Sequence, residues 1–208
     1  MLNEGKNVAL ITDAGTPAIS DPGEDLVAIC IEKGIDVVPV PGCVAAINAL
    51  IGSGMPTGRF CFEGFLSVNK QSRREHLEAI KDETRTMIFF EAPHKLLATL
   101  KDFEKVFGGD RRISLCRELT KIHEEYVRLT VSEAIAKYEE NPPKGEFVLV
   151  VSGAEEKIED FSSLSVSDHV LMYINEGLSE KDAMKAALMT IQSPSSKLTL
   201  TLMLKATP

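Results

Sequence analysis

The stretch that decides the fold class lies near the beginning of the chain: VALITDAGTPAISDPGEDLVAICIEKGIDVVPVPG, residues 8–42. Val8–Thr12 is a short apolar run typical of a buried strand, and the Asp-Ala-Gly-Thr-Pro sequence after it predicts a loop. Pro22 and the acidic residues that follow predict a helix, which ends at Lys33 before a glycine suited to a left-handed stop. Asp36–Val40 is a second strand candidate. This alternation predicts an α/β fold with parallel strand pairs.

The alternation of strands and helices continues along the rest of the chain. Ala45–Ile51 is predicted to form a helix of small residues, and the glycine-rich segment after it favours a domain boundary. Further strands are predicted at Phe60–Phe65, Met87–Glu91, Arg112–Arg117, Glu125–Leu129 and Glu146–Val151, and further helices at Lys70–Glu83, from Pro93, at Val131–Tyr138 and after Ser179. We therefore expect a partial N-terminal α/β domain at 1–57, a C-terminal α/β domain at 58–155 and a helical tail at 156–208. Within that tail, leucines alternate at 198–204, which predicts an apolar strand face that something must cover.

The composition is that of an ordinary globular protein. The 208 residues are 44% hydrophobic and 26% charged, which suffices for a sizeable core. No apolar run approaches the roughly 20 residues of a membrane helix, and no basic-then-apolar leader opens the chain. We therefore expect a cytoplasmic protein with no membrane partner. The four cysteines form no Cys-x-x-Cys pair, and their apolar neighbours predict reduced packing residues and no metal site.

The charge is distributed unevenly. The chain carries a net −8, and the acidic excess falls in its first and last thirds. A net negative chain disfavours nucleic-acid binding, but the middle third is basic and places Lys70, Arg73 and Arg74 close together. These three residues are either part of a solvated helix face of mixed charge or contacts to a nucleic acid.

Three segments carry side chains suited to chemistry. The loop from Asp13 follows a strand and precedes a helix, where ligands bind in α/β sheets; the alternative is a tight turn with no ligand. It matches neither the phosphate-binding Gly-x-x-x-x-Gly-Lys-Ser/Thr nor Gly-x-Gly-x-x-Gly. Glu91 and His94 lie where a strand gives way to a helix, a common position for active-site residues. The alternative is that they are a helix cap and a surface histidine. The Arg117–Lys121 segment is either a salt-bridged loop or a binding wall. No nucleophile is paired with a base, so covalent catalysis is not indicated.

Six segments occur in an order that is recognisable as a whole. They are TDAGTPAISDPG (12–23), VPVPG (38–42), FEGFL (62–66), FEAPHK (90–95), RELTK (117–121) and KGEFVLVVSG (144–153). Together they closely resemble the ribosomal RNA small subunit methyltransferase I family of the tetrapyrrole methylase superfamily. The resemblance extends over about residues 5–185.

The resemblance implies a two-domain tetrapyrrole-methylase-like α/β fold and a homodimer. It also implies S-adenosylmethionine as cofactor, bound between the domains, and methylation of a cytidine 2′-hydroxyl in small-subunit ribosomal RNA of the small ribosomal subunit. Carried over position by position, the cofactor-binding residues are Asp13, Ala14, Gly15, Thr16, Ile19, Val44, Ala45, Phe90, Arg117 and Glu146, with Glu118 on the same wall. Lys70, Arg73, Arg74 and Lys121 are implied RNA phosphate contacts. A sulfonium methyl group is already activated, so the site needs alignment and a base or positive charge, for which Glu91 and Glu118 are candidates.

The chain also departs from the family pattern. The family begins with a strand and a Thr-Pro-Ile-Gly-Asn turn that precede the region matched here, so we expect a truncated N-terminal domain that lacks one wall of the cleft. Val44 stands where the family has serine, Phe90 stands where it has tyrosine, and the resemblance ends after Ala186. Two other functions stay open: a non-catalytic fragment or dimerisation module of such an enzyme, and a methylase of a small tetrapyrrole.

Overall fold

The computed structural model describes residues 1–13, 15–155 and 165–192. The chain divides into two units, Met1–Ala154 and Glu155–Pro208. The boundary expected at residue 57 lies inside the first unit and stays a prediction. Ala14 and the leucine alternation at 198–204 fall outside the described residues.

The first 53 residues contribute helices to the fold. A short 3₁₀ helix at Leu2–Glu4 is followed by α1 (Glu24–Glu32) and α2 (Ala45–Ser53). The strands predicted at 8–12 and 36–40, both described in full, do not form, and this corrects the sequence-based expectation. A strand needs a neighbour to satisfy its backbone groups, and the described sheet contains no strand beside either segment.

One mixed sheet of five strands forms the centre of the first unit. The strands are β1 (Phe60–Phe65), β2 (Thr86–Glu91), β3 (Arg112–Arg117), β4 (Glu125–Thr130) and β5 (Phe147–Val151), in the order β1-β2-β5-β3-β4. The β1–β2 pair is parallel, while β2–β5, β5–β3 and β3–β4 are antiparallel. The five strands predicted beyond residue 58 are therefore confirmed to within a residue or so, and so is the α/β class. The expected parallel pairing holds for β1 and β2 within the described sheet.

Helices cover both faces of this sheet. The helices α3 (Lys70–Ala79), α4 (Pro93–Phe107) and α5 (Val131–Glu140) accompany a core that contains Phe89, Leu115 and Leu149. On the opposite face α2 packs against Ile88 and Val150. Because side chains alternate between the faces of a strand, neighbouring residues of β2 belong to different cores.

The second unit contains two packed helices, α6 (Val166–Asn175) and α7 (Glu180–Gln192). The backbone N–H of Asp182 donates to the Ser179 hydroxyl at 3.3 Å, so the helix start predicted there is confirmed. Tyr173 and Ala183 are buried between the two helices. No helix in the described ranges is long and apolar enough to span a membrane.

The cysteines differ in their surroundings. Cys30 and Cys116 are buried, and Cys61 is half-buried. Cys43 is exposed, which corrects the expectation that all four thiols pack in the interior. It lies in the extended segment before α2, which has no sheet to pack against.

Candidate functional site

The loop at 12–23 is attached both to the sheet and to α2. The hydroxyl of Thr16 donates to the backbone carbonyl of Cys43 at 3.2 Å, next to the beginning of α2. On its other side, Ser20 Oγ lies 3.7 Å from where a Cβ of Gly64 in β1 would be. Gly64 has φ +65° and sits at an irregularity in the β1–β2 register, a backbone conformation that favours glycine.

The backbone of this loop is held in an unusual conformation. Ala18 and Ser20 have φ values of +65° and +58°, a region that residues with a side chain rarely occupy. A Cβ on Gly23, where α1 begins, would come within 2.5 Å of Leu10 Cδ2. Each non-glycine residue in such a conformation costs about 1–3 kcal/mol, and such strain concentrates at binding sites. Asp13, Gly15 and Ile19 are exposed on the same loop.

Three aromatic rings lie at the sheet edge, and we call Phe62, Phe65 and Phe90 the aromatic platform. The ring of Phe90 meets those of Phe62 and Phe65 edge to face, with centroids 5.0 Å and 5.6 Å away. Phe62 and Phe65 remain 39% and 57% exposed, so apolar ring surface faces solvent. Sequence reasoning missed these two rings, although the FEGFL segment, a glycine between aromatics, marked the position.

The beginning of α2 lies against the same core as Phe90. Val44 is the residue before the helix, and both Val44 and Phe90 pack on the cluster beneath α2. A valine side chain cannot accept a hydrogen bond and so cannot cap a helix. The first-turn N–H groups of Ala45 and Ala46, which lie at the positive end of the helix dipole, therefore have no side-chain acceptor. The structure therefore brings together the loop, the beginning of α2 and the aromatic platform, which we call the loop–platform site.

Glu91 and Arg117 lie on the opposite face of the sheet. Glu91 is 5% exposed, and its carboxylate accepts hydrogen bonds from the Ala92 N–H at 2.8 Å and the Thr99 hydroxyl at 2.5 Å. Arg117 Nη1 lies 3.3 Å from Glu125 Oε2 on the neighbouring strand. The structure thus does not bring these two predicted site residues to the loop–platform site. The contacts of Glu91 stabilise the beginning of α4 and do not support its interpretation as a base.

Glu118, Lys121 and Glu146 form a charged cluster after β3 and before β5. The Glu118 carboxylate accepts from the Glu146 N–H at 2.9 Å and from Lys121 Nζ at 3.0 Å. Lys121 Nζ also lies 2.9 Å from Glu146 Oε2. The pKa of Glu118 is lowered, mainly by the hydrogen bond from the Glu146 amide and to a smaller extent by that from the Lys121 ammonium. The carboxylates of Glu146 and Glu118 raise the pKa of Lys121. Lys121 is therefore engaged with two carboxylates, and it does not line the groove that holds the other predicted RNA contacts.

The other predicted RNA contacts line a groove of about 690 Å³ between α3 and α4. Its basic residues are Lys70, Arg73, Arg74, Lys101 and Lys105. Arg73 is committed to Asp102 of α4, because its Nε donates to Asp102 Oδ2 at 2.8 Å. Sequence reasoning missed Lys101 and Lys105, although their i, i+4 spacing on a predicted helix was the available signal. No cluster of three metal-binding side chains occurs among the residues described.

Comparison with known proteins agrees with this fold. A model of the Tetrapyrrole (Corrin/Porphyrin) Methylases matches residues 1–135. The structure is similar to that of the methyltransferase CobJ, with a TM-score of 0.53 and 18% identity, covering 67% of this chain and 62% of that one. The cobalamin biosynthetic enzyme CbiF, a cobalt precorrin-4 methyltransferase, gives 0.50 and 17% over 66% and 61%. This chain belongs to the tetrapyrrole methylase family.

Sequence relatives place it more narrowly, next to proteins named ribosomal RNA small subunit methyltransferase I. The Synechocystis sp. protein is 49% identical over 183 residues, which cover 88% of this chain and 66% of that protein. The Bacillus subtilis protein is 44% identical over 191 residues, covering 89% and 65%. The Thermotoga maritima protein is 48% identical over 155 residues, covering 74% and 69%. The chain spans about two thirds of the length of these curated relatives.

Proposed function

We propose that this chain functions in S-adenosylmethionine-dependent methylation of small-subunit ribosomal RNA, at the 2′-hydroxyl of a cytidine. The observation that carries the proposal is the meeting of the 12–23 loop, the beginning of α2 and the aromatic platform at one place. The names of its relatives support the RNA substrate. A homodimer and a cytoplasmic location belong to the same proposal.

The residues of the loop–platform site fit the chemistry of the cofactor. S-adenosylmethionine carries a planar base, a carboxylate, an ammonium group and a cationic sulfonium. Phe62 and Phe65 offer exposed apolar surface to the base. The first-turn amides of α2, from Ala45 on, suit the carboxylate, and the exposed side chain of Asp13 suits the ammonium group.

Alignment is the main contribution that these residues make to the reaction. The bound cofactor supplies an activated methyl group, so the chain has to hold the ribose oxygen in line with it and keep water out. The aromatic platform excludes water on the sheet side. Glu118, whose pKa is lowered, is a weak proton acceptor near neutral pH and a good acceptor of hydrogen bonds. We therefore propose that Glu118 orients a hydroxyl or amine group by accepting its hydrogen bond, and that it does not remove a proton.

Calorimetric titration with S-adenosylmethionine tests the cofactor part of the proposal. We expect binding by the chain, and a Phe65→Ala variant weakened up to about tenfold, since an aromatic contact contributes about 0.5–1.5 kcal/mol. Phe60→Ala is the matched control, because Phe60 is also exposed on β1 but lies outside the aromatic platform. Absence of binding by the unchanged chain would favour a non-catalytic fragment and refute the proposal.

Transfer of a labelled methyl group tests the substrate. We expect label in small ribosomal subunits that lack this modification, at one cytidine, and resistance of the adjacent phosphodiester bond to alkali, as 2′-O-methylation requires. Label in a tetrapyrrole and none in RNA would instead identify a small-molecule methylase. Label on a cytosine base would retain the RNA substrate and refute the 2′-hydroxyl.

A further inference from the structure

The groove between α3 and α4 carries positive charge that the loop–platform site does not use. Five of its lining residues are basic and two, Glu78 and Asp102, are acidic. The groove is therefore net positive by three charges in a chain of net −8. Such a concentration of one sign within an acidic protein attracts an anionic partner and raises its rate of association.

The cations form two rows on facing helices. Lys70 and Arg74 are one turn apart on α3, and Lys101 and Lys105 are one turn apart on α4. Residues four apart on a helix are neighbours, so each row places like charges side by side at a cost in helix stability. Within the described chain, the side chains of Lys70 and Arg74 have no ion-pair partner, and both residues are exposed. An anion that bridges the rows would relieve this repulsion.

Asp102 fixes the separation of the rows. It accepts the hydrogen bond from Arg73 across the groove, and its other oxygen lies 3.6 Å from Lys105 Nζ. The Arg73 side chain is only 16% exposed, so Arg73 is a positioning residue rather than a contact. Lys101 lies 2.6 Å from Glu139, in a pair whose two side chains are about half exposed. Exposed pairs of this kind contribute little, so Lys101 can exchange its partner for a phosphate.

We propose that this groove binds the phosphodiester backbone of the RNA substrate, with Lys70, Arg74, Lys101 and Lys105 as the phosphate contacts. The proposal rests on the proposed function, which supplies the RNA. The described lining of the groove contains no aromatic ring for a base to stack on. Contacts from lysine and arginine to phosphates position a nucleic acid without reading its sequence. The groove therefore holds RNA in register while the loop–platform site acts on one nucleotide.

Binding of a fluorescently labelled single-stranded RNA, followed by anisotropy over a range of salt concentrations, tests the groove. The test variant is Lys70→Gln/Arg74→Gln in the full chain. The control is Lys33→Gln/Lys181→Gln, which removes the same charge from exposed lysines outside the groove. Each phosphate contact to a single strand adds about 0.7 to the slope of log affinity against log salt. Losing two contacts should lower the slope by about 1.4 and, at about 0.1 M salt, weaken binding about 25-fold.

The outcomes separate the groove from the proposed function. A control pair that binds like the unchanged chain, with the test pair weakened as stated, supports the groove. Equal binding by both pairs, or no salt-dependent RNA binding by the unchanged chain, overturns it. Cofactor titration of the same proteins gives an independent result, because the groove residues are not part of the loop–platform site. Cofactor binding without groove-dependent RNA binding would therefore refute the groove alone, and the reverse would refute the proposed function alone.

Discussion

Replacement of Glu91 separates a structural role from a chemical one at the end of β2. Its carboxylate is buried and accepts from the Ala92 N–H and the Thr99 hydroxyl at 2.8 Å and 2.5 Å. Glu91→Ala removes both acceptors and leaves two donors unsatisfied, the buried Thr99 hydroxyl and the half-buried Ala92 N–H. A buried donor left unsatisfied costs about 1–3 kcal/mol and the half-buried one falls at the low end of that range, so we expect the free energy of unfolding to fall by about 2–4 kcal/mol.

The conservative variant Glu91→Gln should behave differently. The amide oxygen of glutamine can still accept from Ala92, and the Thr99 hydroxyl can rotate to accept from the amide nitrogen. Both hydrogen bonds survive with less charge, so we expect a loss of no more than about 1 kcal/mol. If Glu91 has only this structural role, Glu91→Gln should also retain methyl transfer.

Thermal unfolding and methyl transfer measured on the same preparations distinguish the two roles. In a domain of this size, about 1 kcal/mol shifts the Tm by about 2–4 °C, so Glu91→Ala should lower it by about 5–15 °C. Glu91→Gln should stay within about 4 °C of the unchanged chain. A general base contributes about 10²–10⁴ in rate. A folded Glu91→Gln protein slowed by about that factor would refute the structural reasoning and restore Glu91 as a base.

Three further predictions follow from local geometry. Gly52→Ala should destabilise the protein despite the better helix propensity of alanine, because the new Cβ would lie 2.2 Å from the Tyr126 ring; Gly58→Ala, with open space, should be neutral in the same urea titration. Hydrogen bonds from a neighbouring arginine lower the pKa of Glu83 to about 2. The ionised Glu83 therefore stabilises the folded state fully above about pH 4.5, and this contribution is lost as the pH falls towards 2. In Glu83→Gln, the free energy of unfolding should depend less on pH over that range. Iodoacetamide at pH 8 should label Cys43 in the native protein while the buried thiols stay unlabelled, as peptide mass mapping would reveal.

The sheet could be predicted from the sequence, but the absence of strands at 8–12 and 36–40 could not. Phe147–Val151 and Val8–Thr12 are similar apolar runs, and both favour extended backbone. Phe147–Val151 has a strand on each side, whereas the described sheet offers Val8–Thr12 none. A local pattern specifies the conformation that a segment prefers, while pairing depends on which partners are present. In the segment 36–40, which has no strand partner in the described sheet, the apolar side chains of Val38 and Val40 are therefore 82% and 89% exposed.

The candidate site was predicted in part, and the errors have a geometric cause. Thr16, Val44 and Phe90 were chosen from motifs far apart in the sequence, and the structure brings their segments together. Glu91 follows Phe90 directly and was chosen with it, but adjacent residues of a strand point to opposite faces. Arg117 faces away for the same reason, since it pairs with Phe147, whose side chain lies in the core beneath α4 and α5.

Strand β5 is the last strand in the sequence and the middle one in the sheet, which constrains how the protein can be made. During synthesis β2, β3 and β4 are made before β5. Because β5 lies between β2 and β3 in the sheet, these two strands have no shared hydrogen-bonding partner until β5 is made. Until Val151 has left the ribosome, the nascent chain presents two open strand edges at once, the arrangement most prone to pairing with other chains. Folding of the first unit is therefore a late event in translation, and a chain cut before residue 147 should aggregate rather than fold.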